Sequence, residues 1–138
     1  MDDARPTHDE VAHAVLYAKS AELMARFYEA VVGLERTGQE HGFVTVRSRE
    51  LELVVIEIPQ EIAASIAIST PPTRREDTPI KLSFTVPSID AARGIAPTFG
   101  GIVDASSREW AFRGFHICDG HDPEGNVFQL RTRSAPEG

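Results

Sequence analysis

The hydrophobic and polar positions at the start of the chain predict a strand followed by a helix. Residues 11 to 18 are mostly apolar, as expected of a strand in a sheet. Apolar residues then recur at helical spacing from Glu22 to Val32. Ser20 can cap this helix and Gly33 can end it. We therefore predict a strand and an amphipathic helix as the first unit of the fold.

The same pattern returns in the second half of the chain. A strand is predicted from Ile80 to Val86, and a helix from about Ile89 to Phe99 with Ser88 as its cap. Pro97 should disturb the last turn of that helix. A shift of 68 residues places Ser20 on Ser88. The sequence therefore contains an internal duplication.

Shorter apolar runs complete each copy. Residues 42 to 47 and 51 to 58 are predicted strands in the first copy, and residues 110 to 119 and 126 to 131 are predicted strands in the second. Residues 69 to 79 are polar and contain adjacent prolines, so we predict a linker there. Each copy is interpreted as a β-α-β-β-β module.

These elements predict an α+β fold. Two β-α-β-β-β modules form cupped mixed sheets around a cavity, and the helices cover the outer faces. With 138 residues, the chain is long enough for one domain and short for two. The predicted divisions are a flexible tail at 1–9, a single domain at 10–133 (modules at about 10–68 and 80–133, linker at about 69–79) and a flexible tail at 134–138.

The stretch before the last strand carries the strongest local signal. Residues 122 to 126, Asp-Pro-Glu-Gly-Asn, favour a tight turn, because Pro123 suits its second position and Gly125 tolerates a left-handed conformation. In the strand that follows, Gln129 and Arg131 share one face. We predict a hairpin that aims Gln129 at the cavity.

The net charge and the cysteine content limit which binding partners and which cellular compartment we expect. The formal net charge of -7 at pH 7 argues against binding to nucleic acid or to anionic membranes. Cys118 is the single cysteine, so no disulfide can form within the chain. The sequence also has no apolar segment of membrane-spanning length. We expect a cytoplasmic protein whose partner is a small-molecule ligand or substrate.

Three segments resemble one known superfamily. His13 lies in Val-Ala-His-Ala-Val-Leu-Tyr-Ala, the first helix ends in Arg-Phe-Tyr-Glu-Ala-Val-Val-Gly-Leu, and Asp-Pro-Glu-Gly-Asn precedes the last strand. Together with the duplicated module, these segments resemble the vicinal oxygen chelate superfamily over residues 11 to 133. That superfamily includes glyoxalase I, methylmalonyl-CoA epimerase, extradiol dioxygenases, and the bleomycin and fosfomycin resistance proteins. The resemblance implies the fold, and it leaves the function open.

The resemblance also implies positions for a divalent metal ion. His13 matches the first ligand position, and Glu52 is the better candidate for the second, because Glu57 faces away from it on strand alternation. The duplication places Lys81 where a second His is expected, and Gln129 takes the place of a final Glu. A charged lysine has no lone pair for a metal. The implied metal site, formed by His13, Glu52 and Gln129, is therefore degenerate or absent.

Lys81 supports a different hypothesis for the cavity. If Lys81 points inward beside Glu52, its ammonium group could replace the metal and attract an oxygen of a ligand. Arg108, Arg113 and Arg131 could bind an anionic ligand if two of them converged, whereas Asp119 and Asp122 are expected to bond local backbone. The predicted ligand-binding residues are Lys81, Tyr17, Trp110, Arg113 and Gln129.

Two main functions are consistent with these residues. In the first, the chain binds a small molecule between its modules, as the resemblance to bleomycin resistance proteins implies. In the second, a divalent metal chelates vicinal oxygens of a substrate in a lyase, isomerase or dioxygenase reaction, and Glu52 is a metal ligand or the catalytic base. Assembly with a partner through the cupped sheets is a third possibility. The resemblance further implies a homodimer.

Overall fold

The first module forms a mixed sheet with one helix. A computed structural model describes residues 10 to 134. Within them the sheet has the strand order β1-β4-β3-β2, in which β1 and β4 are parallel and the other neighbours are antiparallel. The elements are β1 (Ala12–Ala18), α1 (Ala21–Phe27), β2 (Glu35–Glu40), β3 (Phe43–Arg47) and β4 (Leu51–Glu57). The strand β2 had no predicted bounds, because its sequence Glu-Arg-Thr-Gly-Gln-Glu is polar.

The first helix begins and ends as its sequence predicts, but its last turn is wider than an α-helix. The Ser20 hydroxyl accepts a hydrogen bond from the Leu23 amide at 3.3 Å, and Gly33 ends the segment at a φ of 84°. The segment Tyr28–Val32 is a π turn, closed by the Gly33 amide donating to the Tyr28 carbonyl. The predicted continuous helix to Val32 is therefore an α-helix followed by a π turn.

The second module repeats the arrangement with more strands. Its five-stranded sheet has the order β5-β9-β8-β6, and β7 pairs with β8 outside that path. As in the first module, the opening strand is parallel to the last, here β5 to β9. The elements are β5 (Leu82–Thr85), α3 (Ile89–Ile95), a 3-10 turn (Ala96–Phe99), β6 (Ile102–Val103), a second 3-10 turn (Ser106–Arg108), β7 (Trp110–Phe112), β8 (Phe115–His121) and β9 (Val127–Arg133).

Two predictions for this module need correction, and one is confirmed. The predicted strand at 110 to 119 is a hairpin, because Arg113 and Gly114 both have positive φ values, 51° and 83°, which turn the chain between β7 and β8. The strand predicted from Ile80 to Val86 covers only Leu82–Thr85. Pro97 lies in the 3-10 turn that replaces the last helical turn, as expected of a proline there.

The segment between the modules is held by the second module. A short helix, α2 (Gln60–Ala63), follows β4, although the sequence pattern did not predict it. The described residues 69 to 79 contain no helix or longer strand. The Arg75 amide donates to the Gly125 carbonyl at 2.8 Å, and Arg75 forms an isolated bridge with Asn126. The predicted linker thus contacts the turn before β9.

Helices cover one face of each sheet, and the opposite faces stay uncovered by helix. Met24 and Phe27 of α1 and Phe128 and Leu130 of β9 belong to one continuous hydrophobic core that spans both modules. We call the other side of each sheet its open face. This α+β architecture with two modules confirms the predicted fold class, and the sheets do not close into a barrel. Among residues 10 to 134, no helix is long and apolar enough to cross a membrane.

Candidate functional site

The turn at residues 122 to 126 forms as predicted. The Gly125 amide donates to the Asp122 carbonyl at 3.0 Å, and Gly125 has a φ of 86°. Asp122 Oδ1 accepts from the amides of Glu124 and Asn126 at 2.9 and 3.0 Å. A side chain on Gly125 would collide with the Thr73 carbonyl, whose oxygen would lie 2.1 Å from the added Cβ. Glycine is therefore required there both for its conformation and for its size.

Side chains of this turn also reach the first module. Asp122 is fully buried, and its Oδ2 accepts from the Tyr28 hydroxyl at 2.8 Å. The Glu124 carboxylate accepts from the backbone amides of Lys19, at 2.9 and 2.8 Å, and Ser20, at 3.0 Å, just before α1 begins. A carboxylate at that end of a helix is favoured by the helix dipole. The turn thus fixes one module against the other.

Burial governs the protonation of the groups at this contact. Burial raises the pKa of the Tyr28 hydroxyl well above its usual value of 10, and the nearby Asp122 carboxylate raises it further. Burial also raises the pKa of Asp122, while hydrogen bonds from Tyr28, Asn126 and the backbone oppose that effect. Tyr28 is therefore a neutral hydrogen-bond donor at physiological pH.

On the open face of the first sheet, His13 and Glu52 form a close pair. They are direct neighbours on the parallel strands β1 and β4, and His13 Nε2 lies 3.0 Å from Glu52 Oε2. Glu52 is only 6% exposed, whereas the His13 side chain is 37% exposed. Glu52 Oε1 accepts from the Thr37 hydroxyl at 3.0 Å. Both carboxylate oxygens therefore have partners within the chain.

Thr37 is a member of this cluster that the sequence analysis missed. It lies at an irregularity in the pairing of β2 with β3, between Arg36 and Gly38. Its hydroxyl also lies 2.9 Å from that of Thr45. Such an irregularity changes the face to which a side chain points. Strand alternation read from the sequence could not have found Thr37, because the position of the irregularity depends on the pairing.

On the open face of the second sheet, Lys81 pairs with Asp119. The Lys81 Nζ atom lies 3.0 Å from Asp119 Oδ2. Among residues 10 to 134, Lys81 forms an ion pair with Asp119 and none with Glu52, so its place beside Glu52 stays a hypothesis. The expectation that the Asp119 side chain bonds local backbone is wrong. Gln129 is the direct strand neighbour of Asp119 and of Ser83. Asp119 Oδ1 is buried and has no hydrogen-bond partner among residues 10 to 134.

The other predicted ligand residues are divided between the sheets. Tyr17 projects from β1 on the same face as His13 and is 66% exposed. Trp110 lies on β7 and is also exposed. Arg113 lies in the turn between β7 and β8, with its guanidinium carbon 5.4 Å from the centroid of the Phe112 ring. In the described part of the chain, no aromatic ring contact joins Tyr17 to Trp110, and no cation–π contact joins it to Arg113.

At the ligand positions that the resemblance implies, the described residues bring two metal-binding side chains into contact, His13 and Glu52. Among residues 10 to 134, no three His, Cys, Asp or Glu side chains come together as a group that could hold a metal ion. Metalloenzymes that use zinc commonly supply three protein ligands. Here His13 and Glu52 supply two, Gln129 has a neutral amide, and Lys81 is engaged by Asp119.

Two cavities lie where the modules meet. One, of about 580 Å³, lies between the β3–β4 turn and the second sheet, and its lining includes Ser83, Thr85, Phe115, Arg131 and Arg133. The other, of about 400 Å³, is mainly apolar. Its lining includes Val15, Leu16, Tyr28, Ile80, Leu82 and Val127. The predicted ligand residues Tyr17, Lys81, Trp110, Arg113 and Gln129 do not line either of these two cavities.

The sequence matches the family model of a glyoxalase-like domain over residues 13–131. The chain therefore belongs to the glyoxalase-like domain family, within the vicinal oxygen chelate superfamily that its motifs indicated. No curated protein sequence matches the chain.

Solved structures share this fold at low sequence identity. A glyoxalase/bleomycin resistance protein/dioxygenase family enzyme from Burkholderia phytofirmans has 14% identity and a TM-score of 0.62, with 88% of this chain and 97% of that chain covered. A glyoxalase/bleomycin resistance protein from Albidiferax ferrireducens has 19% identity and a TM-score of 0.61, with 88% and 97% covered. TnmS3, an antibiotic binding protein from a Streptomyces species, has 20% identity and a TM-score of 0.59, with 91% and 96% covered.

Proposed function

We propose that this chain binds a small organic molecule between its two modules, without a complete divalent metal centre of its own. The observation that carries the proposal is the separate pairing of the charged groups on the open faces. Glu52 is held by His13 and Thr37, and Asp119 is held by Lys81. Side chains that are already paired within the chain leave a metal ion short of ligands.

The space at the module junction supports a small ligand. Cavities of about 580 and 400 Å³ fall in the range that small-molecule sites usually occupy. The mainly apolar cavity offers contact area, and the polar one offers hydroxyl and guanidinium donors. An antibiotic binding protein with the same fold is consistent with this use of the scaffold. His13 and Glu52 line neither cavity, so in this proposal they contact a part of the ligand that extends from the junction onto the open face of the first sheet.

One observation favours a second function, a metal-dependent lyase, isomerase or dioxygenase. His13 Nε2 and Glu52 Oε2 lie 3.0 Å apart, as two ligands of one metal ion could. A third ligand would have to come from Gln129 or from a second subunit of a homodimer. Val15 and Tyr17 expose large apolar surface on the same face of β1, which a partner subunit would cover. In this alternative Glu52 is a metal ligand or the catalytic base.

The proposal is tested by ligand-dependent stabilisation of the purified protein. A panel of metabolites and antibiotics is screened by thermal unfolding, first after chelator treatment and then with nickel, zinc, manganese or iron(II). We expect at least one organic compound to raise the melting temperature without metal. A stoichiometric metal in the purified protein, together with loss of all compound binding on chelation, would establish the metal-dependent alternative instead.

A matched pair of variants locates the binding. Glu52→Gln removes the charge of the buried carboxylate at nearly constant size, and we expect it to weaken binding of a panel compound roughly tenfold. Glu61→Gln removes the same charge from an exposed position in α2 and should leave binding unchanged. Equal binding by both variants would exclude Glu52 from the site.

A further inference from the structure

The larger cavity at the module junction has a concentration of positive charge that the fold itself does not explain. Arg131 and Arg133 both line the cavity of about 580 Å³. Their guanidinium carbons each lie 4.9 Å from the centroid of the Phe115 ring. Phe115 therefore gathers two cations at one place, because the face of an aromatic ring attracts them. Two like charges beside one ring repel each other, and a bound anion would offset that repulsion.

Among the described residues, Glu50 is the one carboxylate that lines this cavity, and it forms no ion pair with either arginine. Elsewhere, Arg36, Arg74 and Arg93 each have a carboxylate within ion-pair distance. Among residues 10 to 134, no carboxylate forms an ion pair with Arg131 or Arg133, although the protein has a net charge of -7. Arg131 and Arg133 are therefore two arginines beside one aromatic ring that no carboxylate of the described residues pairs with.

The guanidinium of Arg131 is oriented by its neighbour on the adjacent strand. Its Nε donates to the Thr85 hydroxyl at 2.9 Å, and Thr85 is the direct strand partner of Arg131. This bond fixes the plane of the group and uses one of its five N–H donors. The terminal nitrogens have no hydrogen-bond partner within the described residues. A planar guanidinium with free terminal donors matches the geometry of a carboxylate or phosphate.

The remaining charges around the cavity do not cancel this pair. Arg49 and Glu50, in the β3–β4 turn, also line it and carry opposite charges. Ser48 and Ser83 add hydroxyl groups to the lining. The cavity therefore keeps the positive charge of Arg131 and Arg133 and adds neutral hydrogen-bonding groups. Its size exceeds what a single inorganic ion needs and suits an organic molecule.

We propose that this cavity binds a small organic oxyanion, whose carboxylate or phosphate group contacts Arg131 and Arg133. The inference rests on the proposed small-molecule binding and names the chemical class of the ligand. The oxyanion group lies between the two guanidinium groups, and the organic part extends toward the junction of the modules. The sequence analysis named Arg131 as a possible anion-binding residue if a second arginine lay close to it. That second arginine is Arg133, because both contact the ring of Phe115, and it is not Arg108 or Arg113.

The experiment compares an anionic probe with its neutral counterpart. Benzoate and benzamide are titrated into the full chain at constant ionic strength, and binding is followed by thermal unfolding and by NMR shifts. We expect saturable binding of benzoate and much weaker binding of benzamide. Phenyl phosphate should behave as benzoate does, because both oxyanions accept paired bonds from guanidinium. Equal affinity for benzamide and benzoate would overturn the inference.

Variants then test the two arginines. Arg131→Gln and Arg133→Gln should each weaken benzoate binding roughly tenfold or more. Arg108→Gln removes the same charge from the 3-10 turn before β7, away from this cavity, and should bind benzoate as the unmodified protein does. Arg133 is exposed, so its variant remains informative if Arg131→Gln does not fold. Unchanged benzoate binding in Arg133→Gln and in the double variant would overturn the inference.

The two proposals fail in different ways. If panel compounds bind and respond to Glu52→Gln while benzoate does not bind, the oxyanion site is wrong and the proposed function stands. If benzoate binds and responds to both arginines while no panel compound responds to Glu52→Gln, the oxyanion site stands and the role of the His13 and Glu52 pair is wrong.

Discussion

The open faces of the two sheets have the same strand layout and different chemistry. In the first module, the opening strand places His13 beside a buried glutamate on the last strand. In the second module, the duplicated position holds Lys81, which reaches past the last strand to Asp119 on β8. The first face therefore presents the pair of His13 and Glu52. The second face presents the ion pair of Lys81 and Asp119 and also carries Arg131 and Arg133. The duplication preserved strand positions, while the partner of each side chain depends on the neighbouring strands.

The largest expected effect concerns the hydrogen bonds of Asp122, which join the second module to the first. Asp122→Ala leaves the Tyr28 hydroxyl and the Asn126 amide without their buried acceptor. We expect the free energy of unfolding to fall by about 3 kcal/mol or more. Asp90→Ala, which removes a largely exposed carboxylate on α3, should change it by no more than about 0.5 kcal/mol. Chemical denaturation of both variants is the measurement, and equal stability would show that the turn does not join the modules.

The second prediction concerns a variant in which the two open faces carry the same residue types. The double variant Lys81→His with Gln129→Glu gives the second module the same residue types as His13 and Glu52. If the duplicated positions converge, the variant should bind nickel or zinc, and a free metal concentration 100-fold above Kd should stabilise it by about 2.7 kcal/mol. Thermal unfolding with and without metal measures this. No metal-dependent shift, beside an unmodified protein that also shows none, would mean that the two faces do not meet within one chain.

The third prediction concerns pH and the module contact. Burial raises the pKa of Tyr28 in the folded state, whereas an unfolded tyrosine ionises near pH 10. Above pH 10 the unfolded chain loses this proton and the folded chain keeps it, so stability falls with rising pH by up to about 1.4 kcal/mol per unit. Tyr28→Phe should lack this component. Denaturation curves between pH 8 and 11.5 compare the two proteins, and parallel pH profiles would contradict the assignment.

The smallest effect is expected on the second open face itself. Lys81 and Asp119 form a partly exposed ion pair, and such pairs contribute about 0 to 1 kcal/mol to stability. Lys81→Met should therefore change the free energy of unfolding by less than about 1 kcal/mol, and the change should shrink at high salt. Denaturation at low and high salt measures it. A loss that is larger and independent of salt would show that the pair is more buried in solution.

The sequence predicted the features that depend on neighbouring residues. Ser20 and Ser88 cap their helices, Gly33 ends the first helical segment, and the turn that contains Gly125 forms as expected. The prediction of one strand at residues 110 to 119 was wrong, because the chain turns back at Arg113. An arginine gives no local signal for the positive φ that this turn requires. The predicted site residues stay a proposal, and the structure divides them between the two modules.

The sequence by itself determined the duplicated modules, the strand faces and the turn before β9, because period, capping and turn chemistry act over a few residues. Only the tertiary structure decided which groups meet. The Asp122 carboxylate accepts a hydrogen bond from Tyr28, which is 94 residues away along the sequence. Lys81 pairs with Asp119, which is 38 residues away along the sequence. Arg131 and Arg133 converge on Phe115 because β8 and β9 are antiparallel neighbours. Such contacts follow from strand order and pairing register, and local sequence patterns fix neither of them.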